Sequence, residues 1–203
     1  MNQLDLFAQQ WQLPPGPYDV ILADPPWQYG SRGPRHGQFG ALDYDTLTVE
    51  EICAIPVAAI AATNAALFLW FTGSFMPEAC QVVKAWGFRF IRIDKVWGKL
   101  TKNDKPAAVA GPWGLSDCEF LALGVRGQMC NQQPRPRNQY TLVEEESSLL
   151  VREQRPPRHS EKPEIFHQLI EQRFPNAQRI ELFARDCHDG WDVWGNEVAR
   201  QIG

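Results

Sequence analysis

The run Asp24-Pro25-Pro26-Trp27 puts an acid, two prolines and a large aromatic ring into four consecutive residues. Each proline fixes its own φ, lacks an N–H and pushes the residue before it toward an extended conformation. The segment is therefore a stiff turn. It offers a carboxylate (Asp24), a backbone carbonyl with no competing strand partner (Pro25) and a flat apolar plate (Trp27). Two acceptors beside a stacking surface suit an aromatic amine, and adenine with its exocyclic amine fits that description. Taken alone, the run also reads as a Pro-Pro turn with a core tryptophan, because short motifs have high false-positive rates.

Two further constellations bear on the first. In His159-Ser160-Glu161-Lys162-Pro163-Glu164 a lysine stands at the threshold of a helix. Its ammonium can add to the positive helix terminus and hold a ligand carboxylate; the same pattern also describes a plain helix start with a solvated lysine. Arg185 lies just past an apolar run, and Asn196-Glu197 follows the glycine turn of Gly190 and Gly195. A glutamate and an asparagine together can hold the two hydroxyls of a ribose, with the arginine bracing them. A strand with an exposed arginine and an N-capping asparagine is the plainer alternative.

Basic side chains cluster in two stretches. Arg32, Arg35 and His36 sit in a glycine-rich loop directly after the Pro-Pro turn, and Arg135, Arg137, Arg152, Arg155 and Arg158 lie in a later proline-rich stretch. Both sets are candidates for phosphate contacts, with a solvated surface as the alternative for any single residue. No metal site is readable. The five cysteines (Cys53, Cys80, Cys118, Cys130, Cys187) form no CxxC, and Cys187-His188 is too little for a ligand set.

The elements that must position these groups follow from periodicity. Tyr18 to Ala23 is an apolar run of the kind expected for a buried parallel strand, and ligands of open α/β sheets sit at the carboxyl ends of such strands. Thr48-Val49-Glu50-Glu51 is a capping box opening a helix to about Ala62, with Pro56 as a kink point. Ala66–Phe71 reads as a strand, Ser74–Trp86 as a helix closed by Gly87, Phe88–Trp97 as a half-exposed strand and Cys118–Val125 as another strand. A short strand is expected near Leu149–Arg152, a helix from Pro163 to about Phe174, a strand over Gln178–Ala184 and a closing helix over Trp191–Gln201. Alternating strands and helices predict a three-layer α/β fold with a mostly parallel sheet and helices on both faces. Strand order is not readable. The whole chain, 1–203, is expected to be a single domain, with 1–17 as a lead and 31–45, 98–116 and 131–158 as substrate-facing loops.

Bulk properties narrow the class. A chain of 203 residues can bury a full core. Its net charge of −4 argues against a non-specific polyelectrolyte binder, though a local basic strip would suffice for nucleic acid. The separated cysteines read as reduced thiols of a cytoplasmic protein. The longest apolar stretch, Ala65 to Phe71, is far too short to span a bilayer, so no membrane partner is expected.

The three constellations occur together and in order, and here the chain resembles the MT-A70 adenine-N6 methyltransferases. The matching pieces are Asp24-Pro25-Pro26-Trp27, His159-Ser160-Glu161-Lys162-Pro163, Arg179 to Arg185, Gly190-Trp191 and Gly195-Asn196-Glu197. Gly111-Pro112-Trp113 ahead of Glu119 to Gly127 is similar to the family's central segment. The resemblance implies a Rossmann-like fold in circularly permuted order and S-adenosylmethionine-dependent methylation of adenine's exocyclic amine in nucleic acid. By matched position, Asp24 and Pro25 would hold the amine within the Asp24-Pro25-Pro26-Trp27 turn, and Trp27 would stack on or flank the base. Lys162 would meet the cofactor's carboxylate, Asp24 would also reach its amino group, and Arg185, Asn196 and Glu197 would surround its ribose. The role of His188, one residue past a family histidine position, stays open. The compact chain is similar to small bacterial and phage relatives, which favours DNA over RNA. A homodimer or a partner subunit is compatible, as is a non-catalytic nucleic-acid-binding subunit. A nucleotide-binding oxidoreductase is disfavoured by the missing G-x-G-x-x-G.

Overall fold

A computed structural model describes residues 12–28, 46–111, 114–130, 149–158 and 161–195. In chain order the elements are β1 (Tyr18–Ala23), α1 (Val49–Ala54), α2 (Val57–Ile60), β2 (Ala61–Phe71), α3 (Met76–Ala85), β3 (Arg89–Leu100), β4 (Val109–Gly111), β5 (Gly114–Ser116), β6 (Cys118–Arg126), β7 (Leu150–Gln154), α4 (Ile165–Arg173), β8 (Arg179–Leu182) and β9 (Asp192–Trp194). Seven strands form one sheet in the order β7-β3-β6-β2-β1-β8-β9. Every neighbouring pair is parallel except those made by β6, which runs antiparallel to both β2 and β3.

The apolar run of β1 is continuous because both faces of the sheet are covered. Ile21 and Ala23 point to one side, where Leu67 and Leu69 of β2 meet Ile52 of α1, Val57 of α2 and Val82 and Val83 of α3. Val20 and Leu22 point to the other, where Phe68 and Trp70 meet Phe166, Leu169 and Ile170 of α4. The result is the α/β architecture expected, a mostly parallel mixed sheet between helices. Among the described residues no helix is long and apolar enough to cross a membrane.

Local chemistry accounts for where the elements begin and end. The Thr48 capping box forms as read: the Glu51 N–H donates to Thr48 Oγ1 at 3.2 Å, and the Thr48 N–H donates to Glu51 Oε2 at 2.8 Å. Pro56 does more than kink the helix. It forces Ile55 into an extended conformation (ψ 127°), so α1 stops and a separate turn, α2, follows. The chain then enters β2 at Ala61, five residues before the expected start. Gly87, at φ 83°, closes α3 as predicted.

Three expectations need correction. The expected loop over 98–116 is partly strand: β3 runs on to Leu100, and β4 and β5 pair with each other antiparallel. The half-exposed alternation expected of β3 fails at Asp94 and Lys95, which are buried next to register shifts that break the period of two. The closing helix does not begin at Trp191. Asp192–Trp194 is instead a strand, β9, paired parallel with β8, where Val193 and Trp194 suit a pleated surface.

Candidate active site

The sheet delivers its chemistry to one edge. The parallel strands β1, β2, β3, β7, β8 and β9 all end there, and β6, running the other way, begins there. The pairs Phe71↔Phe120 and Trp97↔Glu119 fix this register. The reversal of β6 therefore brings Glu119, at its amino end, beside Asp24, just beyond the carboxyl end of β1.

The Asp24–Trp27 turn is tied down at every residue. The Asp24 N–H donates to the Leu182 carbonyl of β8 at 3.4 Å, and the Pro26 carbonyl accepts the Leu47 N–H at 2.8 Å. The Pro25 carbonyl accepts the Trp27 N–H at 2.8 Å across Pro26. It has no strand partner, as expected, but one of its two lone pairs is engaged within the turn. Trp27 departs further from expectation. Its ring is 5% exposed, its indole N–H donates to the Trp70 carbonyl at 3.0 Å, and it stacks on Phe75 with centroids 5.2 Å apart. The reason is burial: in this structure the ring anchors the turn to the core and leaves no open plate for a base.

A chain of alternating charges runs through the site. The Lys162 ammonium pairs with the Asp24 carboxylate and lies 3.4 Å from Glu119, and Glu119 pairs in turn with Lys99 of β3. The Lys162 side chain is only 9% exposed, and its ammonium lies over the Trp70 ring at 5.6 Å. Burial acts against charge on Asp24, Glu119 and Lys162, and the outcome differs. For Asp24 burial dominates and raises the carboxyl above its usual range; Lys162 pulls it down and Glu119 pushes it up further. Burial also pushes Glu119 up, yet Lys162 and Lys99 together outweigh it and hold this carboxyl low. Burial lowers Lys162, but Asp24 and Glu119 overcome it and leave the ammonium firmly charged. The ligand-carboxylate site expected at Lys162 is thus occupied in this structure by two of the protein's own carboxylates.

Beyond Lys162 the same pocket continues past Glu181, Phe183 and Arg185. Phe183 has φ 64°, a left-handed conformation that costs an aromatic residue about 1–3 kcal/mol. Such outliers persist where surrounding structure enforces them, and this one turns the chain off β8 into the pocket wall. Asp24 is thereby brought together with Lys162 and Arg185, which lie more than a hundred residues further along the chain. Asn196 and Glu197, expected at the ribose, lie outside the described residues, as do Arg32, Arg35, His36, Arg135 and Arg137. Glu119 and Lys99 escaped the sequence reading because their place depends on strand order and on the direction of β6.

Residues 18–197 match the family model MT-A70. The chain belongs to the MT-A70 family. Among its relatives, the Type II methyltransferase M.MunI of a Mycoplasma species is 32% identical over 203 residues, covering 92% of this chain and 80% of that protein. The human N(6)-adenosine-methyltransferase catalytic subunit METTL3 is 28% identical over 188 residues, 90% of this chain but 28% of that protein. The human N(6)-adenine-specific methyltransferase METTL4 is likewise 28% identical, with 38% of its length covered. The chain thus spans most of the first relative and well under half of either human one. The MT-A70 match takes in Asp24, Glu119, Lys162, Arg185, Asn196 and Glu197, so the whole charged edge belongs to the family segment.

Proposed function

We propose that this protein methylates the exocyclic N6 amine of adenine in nucleic acid, using S-adenosylmethionine, with DNA preferred over RNA. The observation that carries the reading is the stiff Asp24-Pro25 turn held at the sheet edge beside Lys162 and Arg185, in a chain of the MT-A70 family. The pocket is lined by acids (Asp24, Glu181) and bases (Lys162, Arg185). That mixture suits a zwitterionic cofactor with a carboxylate, an ammonium and a ribose. Lys162 and Asp24 would hold its amino-acid end, while Arg185, Asn196 and Glu197 would surround the ribose. When bound, S-adenosylmethionine supplies an electrophilic methyl group on a sulfonium.

The chain's own residues then have a positioning task. Adenine's amine is a weak nucleophile because its lone pair is delocalised into the ring. The Asp24 carboxylate would accept one N–H and the remaining lone pair of the Pro25 carbonyl the other, drawing the nitrogen toward tetrahedral geometry. Positioning and stabilisation of the positive charge developing on nitrogen would supply most of the acceleration. Within a duplex the target base must leave the stack at a cost of a few kcal/mol. The circularly permuted order is part of the proposal. It is supported by the Asp24 strand, β1, coming first among the described strands and lying between β2 and β8, while β8 and β9, at the cofactor end of the pocket, come last. Preference for DNA is supported by the fuller coverage of the type II methyltransferase than of the adenosine methyltransferase.

The test is transfer of labelled methyl from S-adenosylmethionine to unmethylated double-stranded DNA, single-stranded DNA and RNA, followed by nucleoside analysis. N6-methyladenine in DNA above RNA is the expected product. Label in cytosine, or none in any substrate with the cofactor bound, would overturn the proposal.

A further inference from the structure

At the end of the pocket away from Glu119, two histidines 21 residues apart in sequence stack on each other. His167 lies on α4 and His188 in the turn between β8 and β9. Their ring centroids are 3.9 Å apart with planes inclined by 24°. Glu181 of β8 and Glu164, which precedes α4, flank opposite edges of the pair. Glu181 Oε2 is 2.9 Å from His167 Nε2 and 3.7 Å from His188 Nε2. Glu164 Oε2 is 3.1 Å from His188 Nδ1 and 3.9 Å from His167 Nδ1.

The hydrogen bonding decides what the imidazoles can do. A carboxylate only accepts, so Glu181 fixes a proton of His167 on Nε2, and in the neutral imidazole this leaves a lone pair on Nδ1. That Nδ1 is buried, in a residue 3% exposed, and it has no hydrogen-bond partner. A buried acceptor 3.9 Å from a carboxylate oxygen, with its other nitrogen held by a glutamate, is the arrangement of a histidine metal ligand and its outer carboxylate. One ligand atom from each of Glu164, His167 and His188 lies within 4.8 Å of the other two.

We infer that Glu164, His167 and His188 form a binding site for a divalent transition-metal ion of the zinc class, with Glu181 as the positioning residue for His167. Two imidazoles and one carboxylate select a borderline ion over magnesium or calcium, which take oxygen ligands. A tetrahedral ion with bonds of about 2.0–2.2 Å needs its donors roughly 3.3–3.5 Å apart. The two measured nitrogen–oxygen distances bracket that value. Two nearly parallel rings cannot aim both lone pairs at one ion, so the His188 ring turns out of the stack on binding. At 24% side-chain exposure it has the room that His167 lacks. The ion would tie the 183–191 segment, which carries Arg185, to α4.

The test uses the full metal-stripped chain, titrated with zinc by calorimetry and with cobalt(II) by absorption spectroscopy. The expected result is one ion per chain, cobalt d–d bands without a sulfur-to-cobalt charge-transfer band, and a higher unfolding temperature with zinc. Glu164→Gln and His188→Ala, both at solvent-accessible positions, should each weaken binding at least about 100-fold, and Glu181→Gln about 10–100-fold. Absence of stoichiometric binding, a thiolate band implicating Cys187, or unchanged affinity in the Glu164 and His188 variants would overturn the assignment.

Discussion

Asp24 and Glu119 are two carboxylates sharing one ammonium, and their protonation behaviour diverges because their surroundings differ. Glu119 has two lysine partners and is held low, whereas Asp24 has burial and the Glu119 charge against it and is raised. The Asp24 carboxyl group is acceptor-only, and accepts an N–H most strongly, when ionised, that is, above its pKa. A raised pKa therefore moves the acid limb of kcat/KM upward, to a pH above the ordinary aspartate value of about 3.9. A pH–rate profile flat down to that value would contradict the assignment. Glu119→Gln removes a charge that raises Asp24, so the limb should shift to lower pH in that variant. It should also cost about 1–3 kcal/mol of stability, because Lys162 and Lys99 lose a buried partner; denaturant melts measure this. Asp24→Ala should abolish turnover while leaving cofactor binding measurable by calorimetry, and near-normal methylation by it would refute the mechanism.

At the scale of elements, the site depends on close packing between the β8–β9 connection and the end of β9. The Ala184 N–H donates to the Trp194 carbonyl at 3.0 Å, and a Cβ on Gly195 would stand 2.4 Å from the Ala184 carbonyl oxygen. Gly195→Ala should therefore push the strand ends apart just before Arg185. A loss of about 1–3 kcal/mol in a denaturant melt is expected, together with weaker cofactor binding. Unchanged binding would mean that the 184–195 contact does not shape the pocket. The same elements explain what was legible from sequence. Short-range chemistry was: the Thr48 box, the Gly87 stop, the buried run of β1 and the stiffness of Asp24–Trp27 all follow from neighbouring residues. Long-range pairing was not. Nothing local tells that Val193 and Trp194 find β8 and so form a strand instead of a helix, or that β6 reverses and presents Glu119. The burial of Trp27 has no local signal for the same reason, since it depends on Phe75 and Trp70, which reach it through tertiary packing.

For the molecule as a whole, the charge balance constrains how a polyanion can be bound. A net charge of −4 gives no general attraction to nucleic acid, so affinity must come from local basic residues facing the sheet edge. Arg152 and Arg155 are exposed where β7 ends at that edge, while Arg158 is committed to Asp186 at 2.7 Å. Arg32, Arg35, Arg135 and Arg137 lie outside the described residues, in stretches that flank the same strands in sequence. Each phosphate contact releases condensed counterions, which makes log K fall with log salt by about 0.9 per contact on duplex DNA. Replacing Arg152 and Arg155 by glutamine should thus reduce the slope by roughly two units if both touch phosphate. Replacing Arg32, Arg35, Arg135 and Arg137 together should flatten it further, without changing S-adenosylmethionine affinity. Binding measured by fluorescence anisotropy over a range of salt concentrations separates the two sets. A slope unchanged by all six substitutions would place the nucleic acid elsewhere on the surface, whereas a loss confined to one set would show which arginines carry the phosphate contacts.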